Sequence, residues 1–171
     1  MASNPALEAL DTALDVERTG YGFYISAAQA TESPEGKLMF TNLARDEMKH
    51  FGWLAEQRMS LEETGAFGAL EEPERPAGNP VFPTGPEQKP GRPANTHELE
   101  ALRRGIQAEL DSIALYGRLL GETSDSNGQD MYRRLIDMEQ GHLMILRAEE
   151  DYLTRTGFYF GGFEYDLEAP E

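Results

Sequence analysis

The sequence predicts an all-α fold: a four-helix bundle made of two duplicated helical hairpins joined by a long crossover. Three observations carry that prediction. Residues 7–65 align with residues 99–157 under a shift of 92 positions, with 16 identities in 59 and no gap, so the chain holds an internal repeat. Apolar residues recur at three- and four-residue steps through four segments. A stretch dense in proline and glycine, 66–95, separates the two copies. The expected layout is a single domain, 1–171, with hairpins at 5–65 and 96–157, a crossover at 66–95 and an aromatic tail at 158–171.

The first helix is expected over 5–31. Leu7, Leu10, Leu14, Glu17, Tyr21 and Tyr24 share one face, and Asn4-Pro5 supplies a cap and a first-turn proline. Ser33-Pro34-Glu35 opens the second helix by the same logic, with an early acid for the helix dipole. Its inward line is Phe40, Leu43, Glu47, His50 and Leu54, and Gly65 ends it. Seven prolines between Pro73 and Pro93 exclude helix from the crossover. Extended, it could span roughly 90 Å, twice the length of a thirty-residue helix. The third helix runs from Asn95 or Thr96 to about Thr123, with Leu102, Ile106, Glu109, Ile113, Tyr116 and Leu120 inward. The fourth starts after Asp125 and stops at Gly157, with Met131, Leu135, Glu139, His142, Leu146 and Leu153 inward. Amphipathic helices of this kind must bury their apolar faces on each other. The aromatic tail is expected to cover the bundle's end or a second subunit.

Composition narrows the function. The chain has 171 residues, 39% hydrophobic and 27% charged, with a net charge of −16. That balance fits a soluble acidic protein and argues against nucleic acid or an anionic membrane as a partner. There are no cysteines, which excludes disulfides and thiolate chemistry. Residues 1–20 carry acidic groups and no long apolar run, so neither a signal peptide nor a membrane span is expected. A cytoplasmic location follows as an expectation.

The chemistry lies in residues that the repeat preserves. Glu17, Glu47 and His50 map onto Glu109, Glu139 and His142. Each Glu-x-x-His pair projects to one side of its helix, and each lone glutamate sits mid-line on its own. Four carboxylates at one level of a core would repel each other and lose hydration. Two divalent cations would neutralise them. Each pair can chelate one metal, and the lone glutamates can bridge or cap. On that reading Glu139→Ala removes one metal. Oxygen and imidazole donors without sulfur suit iron, with manganese or zinc as alternatives, and the pattern is that of dinuclear carboxylate bundles. The alternative is six solvent-facing polar residues, which their inward phase opposes. Tyr24 and Tyr116 recur two turns past the lone glutamates. They are either core residues or catalytic neighbours that hydrogen-bond a ligating carboxylate or quench radicals. His97 reads as surface, Trp53 as packing, and the methionines as core or edge filler.

At these residues the chain resembles the ferritin-like superfamily, and within it the rubrerythrin group. Glu17-Arg18-Thr19-Gly20-Tyr21-Gly22-Phe23-Tyr24 is similar to that family's acidic helix-one segment, and Leu43 to His50 to its second-helix ligand motif. Phe163 to Glu168 resembles the tail of ferritin-like proteins without other domains. The resemblance implies a non-haem di-iron oxidoreductase that reduces hydrogen peroxide or dioxygen with Fe(II). Rubrerythrins carry a cysteine-ligated rubredoxin module. Without cysteine, this chain is expected to be re-reduced by a separate electron-transfer protein. The family's extra ligating glutamate, three residues past the helix-three glutamate, is here Ser112, which leaves a symmetric six-ligand centre. A homodimer is implied, and the long crossover would permit exchange of hairpins between subunits. Two alternatives stay open: a ferroxidase for iron storage or delivery, and a metal-stabilised, non-catalytic interaction domain.

Overall fold

A computed structural model of the chain describes residues 4–70, 96–157 and 159. It contains four helices: α1 (Pro5–Ala30), α2 (Pro34–Thr64), α3 (Thr96–Glu122) and α4 (Ser126–Thr156). Their ends follow the expected caps. The Asn4 side chain accepts from the Ala6 N–H, Ser33 from Gly36, and Asp125 from Asn127 and Gly128. Each interaction satisfies an amide with no partner inside the helix. Gly65 and Gly157 terminate α2 and α4 at φ 77° and 78°, a left-handed conformation that a Cβ would strain.

α1 packs along α2, α3 along α4, and the hairpins meet mainly through α1 and α3. This is a four-helix bundle of ferritin-like type. One apolar cluster gathers Tyr24, Phe40, Leu43, Leu102, Leu146 and Leu153. A second gathers Leu10, Leu54, Leu61, Tyr116, Met131 and Leu135. On every helix the expected ligands fall between the two clusters: Glu17 on α1, Glu47 and His50 on α2, Glu109 on α3, Glu139 and His142 on α4. The polar layer is therefore held at mid-height between two apolar blocks.

The two ends of the bundle are built by one reciprocal device. Gly36, just past the α1–α2 turn, lies under the ring of Tyr159, where a methyl group would come within 2.7 Å of both that ring and Thr31. Gly128, its repeat partner, lies under Phe67, where a methyl group would come within 2.9 Å of the ring. Phe67 and Tyr159 are themselves 92 positions apart. Each hairpin thus sends an aromatic residue onto the turn of the other. The first residue of the tail to be described, Tyr159, packs on the end of its own bundle. The tail segment Phe163 to Glu168 lies outside the described residues.

This device orients the hairpins. Phe67, just after α2, lies at the end that carries the α3–α4 turn. Glu98, in the first turn of α3, accepts a hydrogen bond of 2.9 Å from the Glu32 N–H at the α1–α2 turn. The chain leaves α2 at one end of the bundle and enters α3 at the other. Residues 71–95, most of the expected crossover, lie outside the described residues. Of the methionines expected as core or edge filler, Met39 and Met131 are buried in the core, and Met48, Met59 and Met144 are exposed.

Candidate metal centre

The bundle brings together all six expected residues. Glu17, Glu47, His50, Glu109, Glu139 and His142 are each at most 4% exposed, at a depth where carboxylates are rare unless paired or coordinated. They form two overlapping groups: Glu17, Glu47, His50 and Glu139, and Glu47, Glu109, Glu139 and His142. Within each group the donor atoms lie within 4.8 Å of one another, close enough to surround one ion. The repeat exchanges the groups, since a shift of 92 carries Glu17 to Glu109, His50 to His142 and Glu47 to Glu139. Glu47 and Glu139 belong to both groups. The glutamates of the Glu-x-x-His pairs are thus the shared ones, while Glu17 and Glu109 each serve a single group.

The imidazoles stack across the centre, with ring centroids 5.4 Å apart. Nδ1 of each faces the carboxylates. In His50 it is 3.3 Å from Glu17 Oε2 and 3.4 Å from Glu139 Oε1. In His142 it is 3.1 Å from Glu139 Oε2, 3.3 Å from Glu47 Oε1 and 3.7 Å from Glu109 Oε1. The tyrosines cross between hairpins. Tyr24 on α1 donates to Glu109 on α3, and Tyr116 on α3 donates to Glu17 on α1. Each hydroxyl thus reaches a cluster carboxylate of the other hairpin. Each is also part of the core, stacked on Phe40 or on Tyr132.

Electrostatics match the crowding. Burial, and then the neighbouring carboxylates, push Glu47 and Glu109 well above the usual range. Burial also opposes ionisation of Glu139, but the two imidazoles, His142 hydrogen-bonded at 3.1 Å and His50 close by at 3.4 Å, outweigh it and hold its carboxyl well below the ordinary value. The carboxylate between two imidazoles is held toward its ionised form, and Glu47 and Glu109 are held toward their protonated forms. Burial and the adjacent glutamates push Tyr24 and Tyr116 far above the phenol range, so both hydroxyls remain donors.

The donor set, oxygen and imidazole without sulfur, fits hard or borderline cations. Glu17 Oε2 and Glu139 Oε1 are buried with no hydrogen bond, although buried polar atoms nearly always have one. Both belong to the donor groups, where a cation would satisfy them.

Several residues that matter here were not legible as such. Gly20 leaves room for the Glu47 carboxylate, because a methyl group at Gly20 would lie 2.7 Å from Glu47 Oε2. Its repeat partner is Ser112, and that unequal pair was the available signal. Asp46 is 3% exposed and accepts from Lys49 Nζ at 2.7 Å. Glu98 and Glu149 are buried near Tyr159. His97 is exposed, and Trp53 is half-buried against the second apolar cluster, as expected of both.

The site is a carboxylate-histidine cluster able to hold metal ions in a ferritin-like bundle. The rubrerythrin family model matches residues 8–150, and the chain belongs to the rubrerythrin family. No curated protein is matched by the chain. Among solved structures, a hypothetical protein from Pyrococcus furiosus is similar at 26% identity. The match covers 90% of this chain and 93% of that one, with a TM-score of 0.66. Among the described residues, no helix is long and apolar enough to cross a membrane.

Proposed function

We propose that the chain is a non-haem di-iron oxidoreductase that reduces hydrogen peroxide, or dioxygen, and is re-reduced by a separate electron donor. The observation that carries this reading is the sharing of Glu47 and Glu139 between two complete ligand groups. A single-ion site would need only one group. Glu17, Glu47, His50 and Glu139 would hold one iron, and Glu47, Glu109, Glu139 and His142 the other. When bound, the pair supplies the two electrons that peroxide reduction to water requires.

The chain's own groups provide the rest. Four carboxylates balance two divalent charges, so the loaded centre is neutral in a dry layer. Tyr24 and Tyr116 donate to Glu109 and Glu17 and restrain the rotamers of both carboxylates. The two apolar clusters keep bulk water from the centre and preserve the strength of these contacts.

The test is metal analysis of protein produced in iron-replete medium, followed by stopped-flow reaction with peroxide and with oxygen. Iron bound in pairs and oxidised faster by peroxide supports the reading. Protein that binds no iron overturns it. A closed shell of many subunits on gel filtration would favour ferroxidation for storage instead. The geometry also revises the expected effect of Glu139→Ala. Because Glu139 belongs to both groups, its loss should deplete both ions and abolish turnover, whereas Glu17→Ala should weaken one. Metal content per chain in the two variants checks this.

A further inference from the structure

The exposed side of α2 carries a second line of residues at alternating steps of three and four. It runs from Leu38 through Met48, Gly52 and Ala55 to Met59, with Thr41 and Arg45 at the steps between. Such steps place side chains in one stripe along a helix. Leu38, Met48 and Met59 are 40%, 43% and 57% exposed, and they are three of the four large apolar side chains that stand exposed among the described residues. Single exposed apolar residues need no explanation, but aligned ones mark a contact surface. Gly52 adds to this. Glycine costs a helix about 1 kcal/mol relative to alanine. A Cβ built at Gly52 meets nothing within 4 Å, so no neighbour among the described residues requires its absence.

The charges beside the stripe are sorted by sign. In residues 34–49 the exposed charged side chains are all basic: Lys37, Arg45 and Lys49. In residues 50–64 they are all acidic: Glu56, Glu62 and Glu63. Arg58, among the acidic ones, is half-buried and pairs with Asp11 and Glu62.

We propose that this face of α2 docks on the same face of a second copy of the chain, with the two helices antiparallel about a two-fold axis. This gives the expected homodimer a surface, and it holds whatever the metal centre binds. A two-fold contact must be self-complementary, and this stripe is. The antiparallel arrangement sets the basic half of each helix against the acidic half of the other. A parallel arrangement sets like charge against like. Rim charges of this kind fix direction more than they add affinity. The apolar positions also match. With the axis midway between residues 48 and 52, Met48 stands over Gly52 of the partner subunit, and Thr41 meets the partner's Met59. A flexible thioether over bare backbone lets two helices approach closely, which supplies the reason for glycine at position 52.

The test is the mass of the full-length protein in solution, by sedimentation, with variants at exposed positions. The unaltered protein should be dimeric. Met59→Glu and Gly52→Arg each set an unpaired charge in the seam and should weaken the dimer roughly tenfold or more. Helix content should not change, because both positions face outward. Met144→Glu, at the exposed methionine of α4, should leave the dimer intact. The chain has no cysteine, so a single introduced one reports only on its own copy. Under a short bismaleimide, Gly52→Cys should join two chains, because its copies lie about 6 Å apart along the axis at 1.5 Å per residue. Leu38→Cys should not, because its copies lie about 36 Å apart. A monomeric unaltered protein overturns the proposal. So does an assembly of any size that survives both Met59→Glu and Gly52→Arg, or one in which Leu38→Cys cross-links as readily as Gly52→Cys. All these outcomes leave the reading of the metal centre untouched.

Discussion

Gly20 illustrates how one missing side chain can serve a site on another helix. Glycine inside a helix is less favourable than alanine by about 1 kcal/mol. Here its hydrogen faces Glu47 Oε2, and a methyl group would stand 2.7 Å from that oxygen. The carboxylate is the end of a flexible chain, so it would swing aside rather than break the helix. Gly20→Ala should leave the metal-free protein as stable as before, or slightly more so. It should weaken cobalt or iron binding roughly tenfold or more, which corresponds to about 1.4 kcal/mol. A thermal melt of the metal-free variant beside a metal titration checks both halves. Equal metal affinity would show that Glu47 does not need that space. Sequence inspection found the six candidate ligands because the repeat preserved them. Gly20 escaped it because its repeat partner, Ser112, differs. A residue that acts on only one half of a duplicated site leaves no echo in the other half.

At the level of elements, the helices follow from local chemistry. Asn4, Ser33 and Asp125 cap them, Gly65 and Gly157 end them, and the observed bounds differ from the expected ones by about a residue, within the normal fraying of helix ends. How the hairpins clasp each other was not local. Phe67 belongs to the segment that the proline density marked as crossover, yet it is 5% exposed and its ring lies against Gly128. Gly128→Ala places a methyl group within 2.9 Å of both that ring and Thr123. Such overpacking typically costs about 1–3 kcal/mol, which exceeds the roughly 1 kcal/mol that alanine adds in helix propensity. The urea midpoint should fall. Phe67→Ala in the same background should lessen the effect of Gly128→Ala, because the obstructing ring is gone. Additive losses would mean that the ring is not the obstacle.

For the whole molecule, the buried carboxylates couple folding to pH and to metal. Glu47 and Glu109 hold protons well above the ordinary 4.5. In the unfolded chain they ionise near that value. Between 4.5 and their raised values the folded state therefore binds more protons than the unfolded one, and stability falls as pH rises. Glu139 is shifted the other way and acts only below the ordinary range, outside this window. The metal-free protein should have a higher denaturant midpoint at pH 5 than at pH 7.5. With metal present the trend should reverse, because ions displace those protons and bind better as pH rises. A metal-free protein that gains stability from pH 5 to 7.5 would contradict the protonated-cluster picture.

The amino-acid order alone specified the helices, their caps, the duplication and the identity of six candidate ligands, because each depends on periodicity or on residue type repeated at a set spacing. Only the tertiary structure decided which glutamates are shared, which tyrosine reaches which carboxylate, and which aromatic residue closes which end. Those relations join residues from different hairpins. Periodicity along a helix fixes which way a side chain points, but the partner it meets depends on how two separate surfaces come together.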